Sequence, residues 1–255
     1  MTQSDKIQRF HALHRKGAPV ILFNIWDPGS ARAVASAGAL ALATGSAPVA
    51  AAHGYEDGEK IPFALMLDNL RRIAAASDLP VTSDMEGGYG ADEAGVAASA
   101  AAVIGAGAVG FNIEDQIIGT ATLRAPDDQA RRIRAARAAA DKVAKGAFIN
   151  ARTDLFLKTP AAGHAALMAD AIDRAATYAA VGADGFFAPG LSDPALIGQL
   201  CASVALPVNI IALANVPPAK ELAGLGVGRI SYGPVPYRRM TAWLADEARA
   251  ALTAL

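Results

Sequence analysis

The feature that most limits what this chain can become is a cadence: a helical stretch ends in a small Gly-Ala-type pair, a few apolar residues follow, and polar residues with glycine close the unit. It predicts eight strands, at 20–26, 39–45, 80–86, 109–114, 147–152, 185–188, 207–213 and 229–232. Helices are expected between them at 30–37, 63–76, 91–104, 126–144, 163–181, 193–203 and 217–224. The strands are almost continuously apolar instead of alternating, as a parallel sheet covered by helices requires. Eight such units over 255 residues close most naturally into one (β/α)8 TIM barrel spanning residues 1–255. A short helix at 4–16 precedes it, with Ile7, Phe10 and Leu13 on one stripe, and a helix at 236–255 ends it. The competing architecture is an open doubly wound sheet. Its GxGxxG turn must follow a strand, whereas Gly105, Gly107 and Gly110 precede one and are structural.

Composition narrows the ligand class. With 23 Lys+Arg against 24 Asp+Glu the net charge is −1, which provides no electrostatic footprint for nucleic acid or an anionic membrane. The basic run 131–137 falls on a predicted helix with apolar Ile133 and Ala136, and is expected to be a solvated outer face. A small-molecule ligand suits this balance. The single Cys201 allows no internal disulfide and fits a reducing compartment. The first residues lack the apolar core of a signal peptide, and no apolar run reaches the length of a membrane span, so the expectation is a soluble, cytoplasmic protein.

In a barrel of this kind the chemistry sits at the C-terminal strand ends. Strand three runs from Pro80 into Asp84 and Glu86 and then Gly87, Gly88 and Gly90. Side chains two apart on a strand share a face, and two carboxylates held together need a cation or a proton; the plain alternative is a solvated strand end. Strand four adds Glu114 and Asp115, strand five Asn150, Arg152 and Asp154. Strand one ends in Trp26, strand two in Gly45 and Ser46, strand seven carries Asn209, and strand six ends in Ala-Pro-Gly without an ionisable group. Oxygen donors without a His or Cys cluster suit Mg²⁺, or Mn²⁺, and argue against zinc. Arg152 is placed to bind a substrate carboxylate or developing negative charge; its alternative is a buried ion pair with Asp154 or Glu114. His53, four residues before Asp57, is a candidate proton donor, or else a surface or supporting residue. His11, His14 and His164 fall on predicted helices as solvent-facing or capping residues.

Several segments together resemble the isocitrate lyase and phosphoenolpyruvate mutase superfamily. They are AsnIleTrpAspProGlySerAlaArg at 24–32, ThrGlySer at 44–46, GlyTyrGluAspGlyGlu at 54–59, SerAspMetGluGlyGlyTyrGly at 83–90, AsnIleGluAspGln at 112–116, AsnAlaArgThrAsp at 150–154, GlyAlaAspGlyPhePhe at 182–187 and ProValAsnIleIleAla at 207–212. The resemblance implies a barrel whose last helix is exchanged within a homodimer, usually inside a homotetramer; an ordinary eighth helix on its own barrel is the alternative. It implies that Asp84 is a direct Mg²⁺ ligand, with Asp57, Glu86 and Glu114 holding the metal's waters and Glu86 standing where an aspartate is common. Gly45 and Ser46 would receive the carboxylate of a 2-oxo acid, and Arg152 its other oxygens. The candidate substrate contacts are thus Trp26, Gly45, Ser46, Asp84, Arg152 and Asn209, and the candidate catalytic groups Arg152, Asp57, Glu114 and His53.

The implied reaction is cleavage of a bond at carbon 3 of a small 2-oxo or 2-hydroxy acid through an enolate. Members that split isocitrate or methylisocitrate carry a cysteine in the loop after strand four, and the phosphonate enzymes a Lys-Thr-Asn-Ser-like segment. Residues 116–126 here contain no cysteine, histidine or lysine. The favoured expectation is therefore decarboxylation or related carbon–carbon cleavage of an oxaloacetate-like substrate. The alternatives are phosphoenolpyruvate mutase, phosphonopyruvate hydrolase or methylisocitrate lyase-type activity, or a non-catalytic protein that binds Mg²⁺ and a 2-oxo acid. A loop 116–126 that closes over the mouth favours an enzyme, and one that swings away favours the binder.

Overall fold

In the computed structural model, which describes residues 1–254, a break in the first strand closes the sheet. β1 (Val20–Leu22) pairs in parallel with β9 (Arg229–Ser231), while β2 (Asn24–Ile25), one residue further on, pairs in parallel with β3 (Leu42–Thr44). Between them run β4 (Val81–Asp84), β5 (Gly110–Glu114), β6 (Phe148–Arg152), β7 (Gly185–Phe187) and β8 (Val208–Ile211), giving the order β1-β9-β8-β7-β6-β5-β4-β3-β2 with every neighbour parallel. β1 and β2 act as the two halves of one stave. The fold is the expected (β/α)8 barrel, and each of the eight apolar runs forms a strand.

The helices follow their local chemistry. Asp27 accepts from the amide of Ser30 at 2.7 Å and Pro28 opens α2 (Pro28–Ser36); Asp92 caps α5 (Glu93–Gly105) in the same manner and Asp193 caps α8 (Pro194–Ser203). α1 (Gln3–Leu13), α4 (Phe63–Ala75), α6 (Pro126–Val143) and α9 (Ala219–Gly224) lie within a few residues of their expected places. The helix expected at 163–181 divides into a 3-10 segment, Ala161–Leu167, and α7 (Met168–Ala180). A short α3 (Ser46–Ala52) has no counterpart in the sequence reading, because seven residues rich in alanine carry too little periodicity to announce a helix.

One end of the barrel is plugged by α1. Ile7 and Phe10 join Val20, Leu22 and Phe148 in a separate apolar cluster, and the His14 ring stacks on Phe148 at 4.2 Å. His14 departs from a solvent-facing placement but is the capping residue of α1: its Nδ1 lies 2.7 Å from the Phe10 carbonyl, and burial pushes its pKa down to about 3. His164 departs from expectation likewise: it is buried, and its Nε2 lies 3.0 and 2.9 Å from the carbonyls of Phe156 and Thr159. The basic run is only partly an outer face. Arg131 and Arg134 are exposed, but Arg132 is buried and Arg137 turns inward to the carbonyls of Ala147 and Gly182 and to Asp184.

The last helix, α10 (Val235–Leu252), stops short of the expected boundary, and Leu255 lies outside the described residues. Pro236 is its one buried side chain, while Trp243, Leu244 and Leu252 are 60%, 54% and 79% exposed. Beside α2, along the outside of β1, lies an apolar groove of ≈ 610 Å³ lined by Ile21, Phe23, Val34 and Leu40. No helix among the described residues is long and apolar enough to cross a membrane.

Close strand packing depends on glycine at one position above others. A Cβ on Gly110 would lie 2.3 Å from the Phe148 carbonyl oxygen on the neighbouring strand. Gly110→Ala is expected to lower stability by about 2–3 kcal/mol, read as a shift in the urea midpoint, because backbone on both sides must move.

Candidate active site

Parallel strands deliver their C-terminal ends to one rim, and here that rim surrounds a cavity of ≈ 270 Å³. Gly45, Ser46, Asp57, Asp84, Asn112 and Arg152 line its polar side, and Leu157, Phe187, Ile211 and Leu213 its apolar side. Gly233, Pro234 and Arg238 complete it at the start of α10. Below it, the Asn150 amide donates to Asn112 Oδ1 at 2.9 Å and Asn209 Oδ1 at 3.1 Å, while Asn209 bonds Ser231. These buried amides tie β5, β6, β8 and β9 into a polar floor.

The strand carrying Asp84 ends at that residue, so the simple alternation that would place Glu86 beside it does not continue. Glu86 and Tyr89 adopt left-handed backbone at φ 51° and 50°, and Gly88 at 104°, each non-glycine residue costing about 1 kcal/mol or more. This turn is held from behind: Arg132 donates to the carbonyls of Gly87 at 2.7 Å, Gly90 at 2.9 Å and Ala91 at 3.2 Å. The turn directs Glu86 to the 54–59 loop. Its Oε2 accepts from the amides of Gly58 at 2.7 Å and Glu59 at 2.8 Å, and its Oε1 from the Tyr89 hydroxyl at 3.2 Å.

Asp84 remains at the mouth with little to satisfy it. One oxygen accepts from Ser46 N and the other from Glu86 N, both at a long 3.4 Å. Arg152 is more fully engaged: Nη1 lies 2.9 Å from Glu114, and Nε and Nη2 donate to Asp154 at 2.6 and 3.0 Å. The expected alternative for Arg152, an ion pair with Asp154 or Glu114, is present with both. Three of its five N–H groups are used and two are left for a ligand in the cavity it lines.

Acids outnumber cations here, and the protonation equilibria record it. Burial, then the charges of Asp57 and Asp84, push Glu86 up to about 7, against the pull of the Gly58 and Glu59 amides. Burial also raises Glu114 well above the usual carboxylate range; Arg152 opposes this, but Asp154, Asp84 and Glu86 add to it. Asp57 stands on an exposed loop, yet its carboxyl faces the cavity, where burial and Asp84 raise its pKa. Arg152 is raised as well, which for a guanidinium favours the charged form: burial disfavours its charge, but Glu114, Asp154 and Asp84 prevail. Arg229 lies beneath, fully buried without a carboxylate partner; burial lowers it to about 9, with Asp84 acting against that shift.

The donor set fits a hard divalent cation. Asp84 has weakly committed oxygens on the cavity wall, and Asp57, Glu86 and Glu114 around it are oxygen donors raised by burial and then by neighbouring carboxylates. Among the described residues no three His, Cys, Asp or Glu side chains close directly around one point.

Three candidates stand elsewhere. His53 follows α3, with Nδ1 2.9 Å from the Val49 carbonyl, and lines a different surface cavity with Asp27, Asp68 and Arg72. Trp26 packs edge-on to Tyr237 of α10 at 5.1 Å, behind the wall, and Asn209 lies in the buried floor. Cys201 is buried in α8, its thiol pushed up to about 11 by burial, consistent with packing alone. The sequence reading passed over Arg238 and Tyr89; Tyr89 sat inside the quoted 83–90 motif, whereas nothing in the C-terminal helix pattern marked Arg238.

Loop 116–126 is folded against the mouth. Ile117 N donates to Thr122 O at 2.9 Å and Arg124 N to Asp115 O at 2.8 Å, with an antiparallel bridge between Gln116 and Leu123. The tip residue Ile118 presses on Gly87 so closely that a Cβ there would lie 2.8 Å from its Cγ1, and it also reaches Gly58.

Known proteins share this architecture and sequence. A family model described as phosphoenolpyruvate phosphomutase matches residues 10–252. The crystal structure of a putative phosphonomutase from Burkholderia cenocepacia J2315 superposes with a TM-score of 0.95 at 50% identity, covering 98% of this chain and 100% of that one. A probable 2-methylisocitrate lyase 2 of Corynebacterium glutamicum is 28% identical over 88% of this chain and 73% of its own. An oxaloacetate decarboxylase of Pseudomonas savastanoi pv. phaseolicola is 26% identical over 92% of this chain and 81% of its own.

The raised Glu86 pKa makes a pH prediction with a definite sign. Between its ordinary value of 4.5 and about 7 the folded chain holds the proton more tightly than the unfolded chain, so stability falls as pH rises through that window. Metal-free protein is expected to lose on the order of 2–3 kcal/mol across it, Glu86→Gln to flatten the slope, and a divalent cation to restore stability at the upper end. Denaturant melts at a series of pH values check this; an equal slope in Glu86→Gln would refute the assignment.

Proposed function

Because the chain belongs to the phosphoenolpyruvate phosphomutase family, we propose that it is a Mg²⁺-dependent carbon–carbon lyase that cleaves a bond at carbon 3 of a small 2-oxo or 2-hydroxy acid, with an oxaloacetate-like substrate favoured. One observation carries this reading: Asp57, Asp84 and Arg152 face a single cavity beside Gly45 and Ser46, while the hairpin at 116–126, packed on Gly87 and Gly58 of the adjoining loops, contains no cysteine, histidine or lysine. The Pseudomonas relative's name is in keeping with it.

The substrate carboxylate is placed at the first turn of α3, where the amides of Ser46 and Ala47 lack intrahelical acceptors. A Cβ on Gly45 would meet Pro48 at 2.8 Å, so glycine keeps this approach open. Asp84 would hold the cation directly, with Asp57, Glu86 and Glu114 as the groups for its waters. The bound Mg²⁺ supplies Lewis-acid polarisation of the 2-oxo group. The two uncommitted N–H groups of Arg152 face the oxygen that gains negative charge as the bond at carbon 3 breaks, and its clamps from Glu114 and Asp154 keep that geometry preorganised. Arg238, exposed at the rim without an ion-pair partner among the described residues, receives the anionic substituent on carbon 3. In decarboxylation the C3–C4 pair moves toward the 2-oxo oxygen, CO₂ departs, and carbon 3 later takes a proton from water. No acid is needed for a leaving aldehyde, which suits a hairpin with Ile118 at its tip.

The same reading includes a dimer, or a tetramer built from dimers, in which α10 is exchanged between subunits. Its support is the pairing of an exposed apolar helix, with Trp243, Leu244 and Leu252, and an uncovered apolar groove beside Phe23 and Leu40.

Purified protein with Mg²⁺ and a panel of oxaloacetate, phosphonopyruvate, methylisocitrate and dimethylmalate should release pyruvate or another 2-oxo acid from one of them. Asp84→Ala should reduce that rate by about 10³-fold or more, and Arg152→Lys by about 10²-fold, with the barrel intact by circular dichroism. Silence across the panel, with oxalate still bound only in Mg²⁺, would replace the lyase by a binding protein. Light scattering should show a dimer or tetramer, and Trp243→Asp a smaller species; a monomeric parent protein would refute the exchange.

A further inference from the structure

Asp115, directly after Glu114, is fully buried, and its polar groups join three segments: 152–154, the hairpin return at Arg124, and α7. Its amide donates to the Arg152 carbonyl at 3.1 Å and its Oδ1 accepts from Asp154 N at 3.0 Å. It thereby brackets the residues whose side chains form the Arg152–Asp154 fork. On its other side, its carbonyl accepts from Arg124 N at 2.8 Å, and its Oδ2 from Arg174 Nη1 at 3.0 Å and the Tyr178 hydroxyl at 3.1 Å. Arg124 is where the hairpin returns to the barrel. Arg174 Nη1 also donates to the Arg124 carbonyl at 2.9 Å, and Arg174 Nε to Asp170 at 2.9 Å. One guanidinium on α7, outside the cavity, therefore holds the base of the hairpin and the acid that fixes the strand end bearing Arg152.

Apolar residues would pack α7 onto the barrel as well or better, since desolvating a charged pair costs about as much as its attraction returns. What the guanidinium adds here is geometry, since it joins Asp115, the Arg124 carbonyl and Asp170 at once. From this we propose that Arg174, supported by Tyr178, is a positioning residue: it locks the closed hairpin 116–123 to the segment that aims Arg152 at the ligand. The inference rests on the reading of Arg152 as a ligand-binding group. Without the clamp the hairpin base loosens, Asp115 turns, and the Asp154 carboxylate no longer presents Arg152 in one orientation. Arg174 touches no ligand. Its effect passes through Asp115 and Asp154.

The test uses Arg174→Lys, which keeps the charge opposite Asp115 but loses the rigid guanidinium plane that holds Nη1 against both Asp115 and the Arg124 carbonyl while Nε is fixed by Asp170, and Tyr178→Phe, which removes one bond to Asp115. Hydrogen exchange of the Arg124 and Ile117 amides in ligand-free protein reads the clamp, and calorimetric binding of oxalate in Mg²⁺ reads the aim of Arg152. Arg174→Lys is expected to speed exchange at Arg124 by about 10-fold and weaken oxalate by about 10-fold, with Tyr178→Phe smaller in both and the Val109 and Phe148 strand amides unchanged. Should Arg174→Lys fail to fold, the double variant Asp115→Asn with Arg174→Met, which leaves no buried charge unpaired, carries the same two readings. A lower melting temperature with wild-type exchange at Arg124 and wild-type oxalate affinity would make Arg174 a fold residue only and overturn the proposal. Failure of the wild-type protein to bind oxalate would instead overturn the reading of the site, and the Arg124 exchange rates would still decide whether the clamp exists.

Discussion

An excess of carboxylate over guanidinium at one end of a barrel is the constraint on which the rest of this structure depends. Burial and the charge of Asp84 raise Asp57, Glu86 and Glu114, and Arg152, already shared between Glu114 and Asp154, offsets only part of the negative charge. Such a cluster stays ionised only with a further cation, and otherwise takes up protons. A site of this kind is thus poised to bind a metal and an anionic ligand together, each lowering the cost of the other.

The scaffold meets that electrostatic strain with backbone rigidity. The turn after Asp84 uses left-handed residues at Glu86, Gly88 and Tyr89, and it is steadied by the three carbonyls that Arg132 gathers. The polar floor of Asn112, Asn150, Asn209 and Ser231 links four strands beneath the cavity, so that the strand ends hold a common level. Two arginines of α6 work largely on backbone. Arg132 and Arg137 come from a run that looks, as a string, like a solvated basic face, yet each turns inward to carbonyls that strand and loop ends leave unpaired.

Much of the architecture was legible because burial on both faces leaves a strong mark: eight apolar runs at a regular interval have few ways to pack. Asp84, Glu114 and Arg152 were legible as site candidates for the same reason, since a charged residue at the end of an apolar strand has few other places to go. Less was legible where a side chain's fate depends on the turn it sits in. Glu86 follows Asp84 by two residues, but the left-handed turn redirects it to the 54–59 loop. His53 is four residues from Asp57 in sequence and faces another cavity, because α3 ends just before it. Arg238 reaches the rim from a helix whose sequence pattern concerns a different surface.

By itself, then, the sequence determined the barrel, the number of its strands and the rim on which acids and Arg152 collect, because hydrophobic periodicity and strand-end polarity are local and additive. Tertiary structure decided which of those residues meet. The bonds of Glu86 to Gly58 and Glu59, the seat of Ile118 on Gly87, and the bonds of Arg174 Nη1 to Asp115 and Arg124 join segments 27 to 59 residues apart, and no local pattern encodes such pairings.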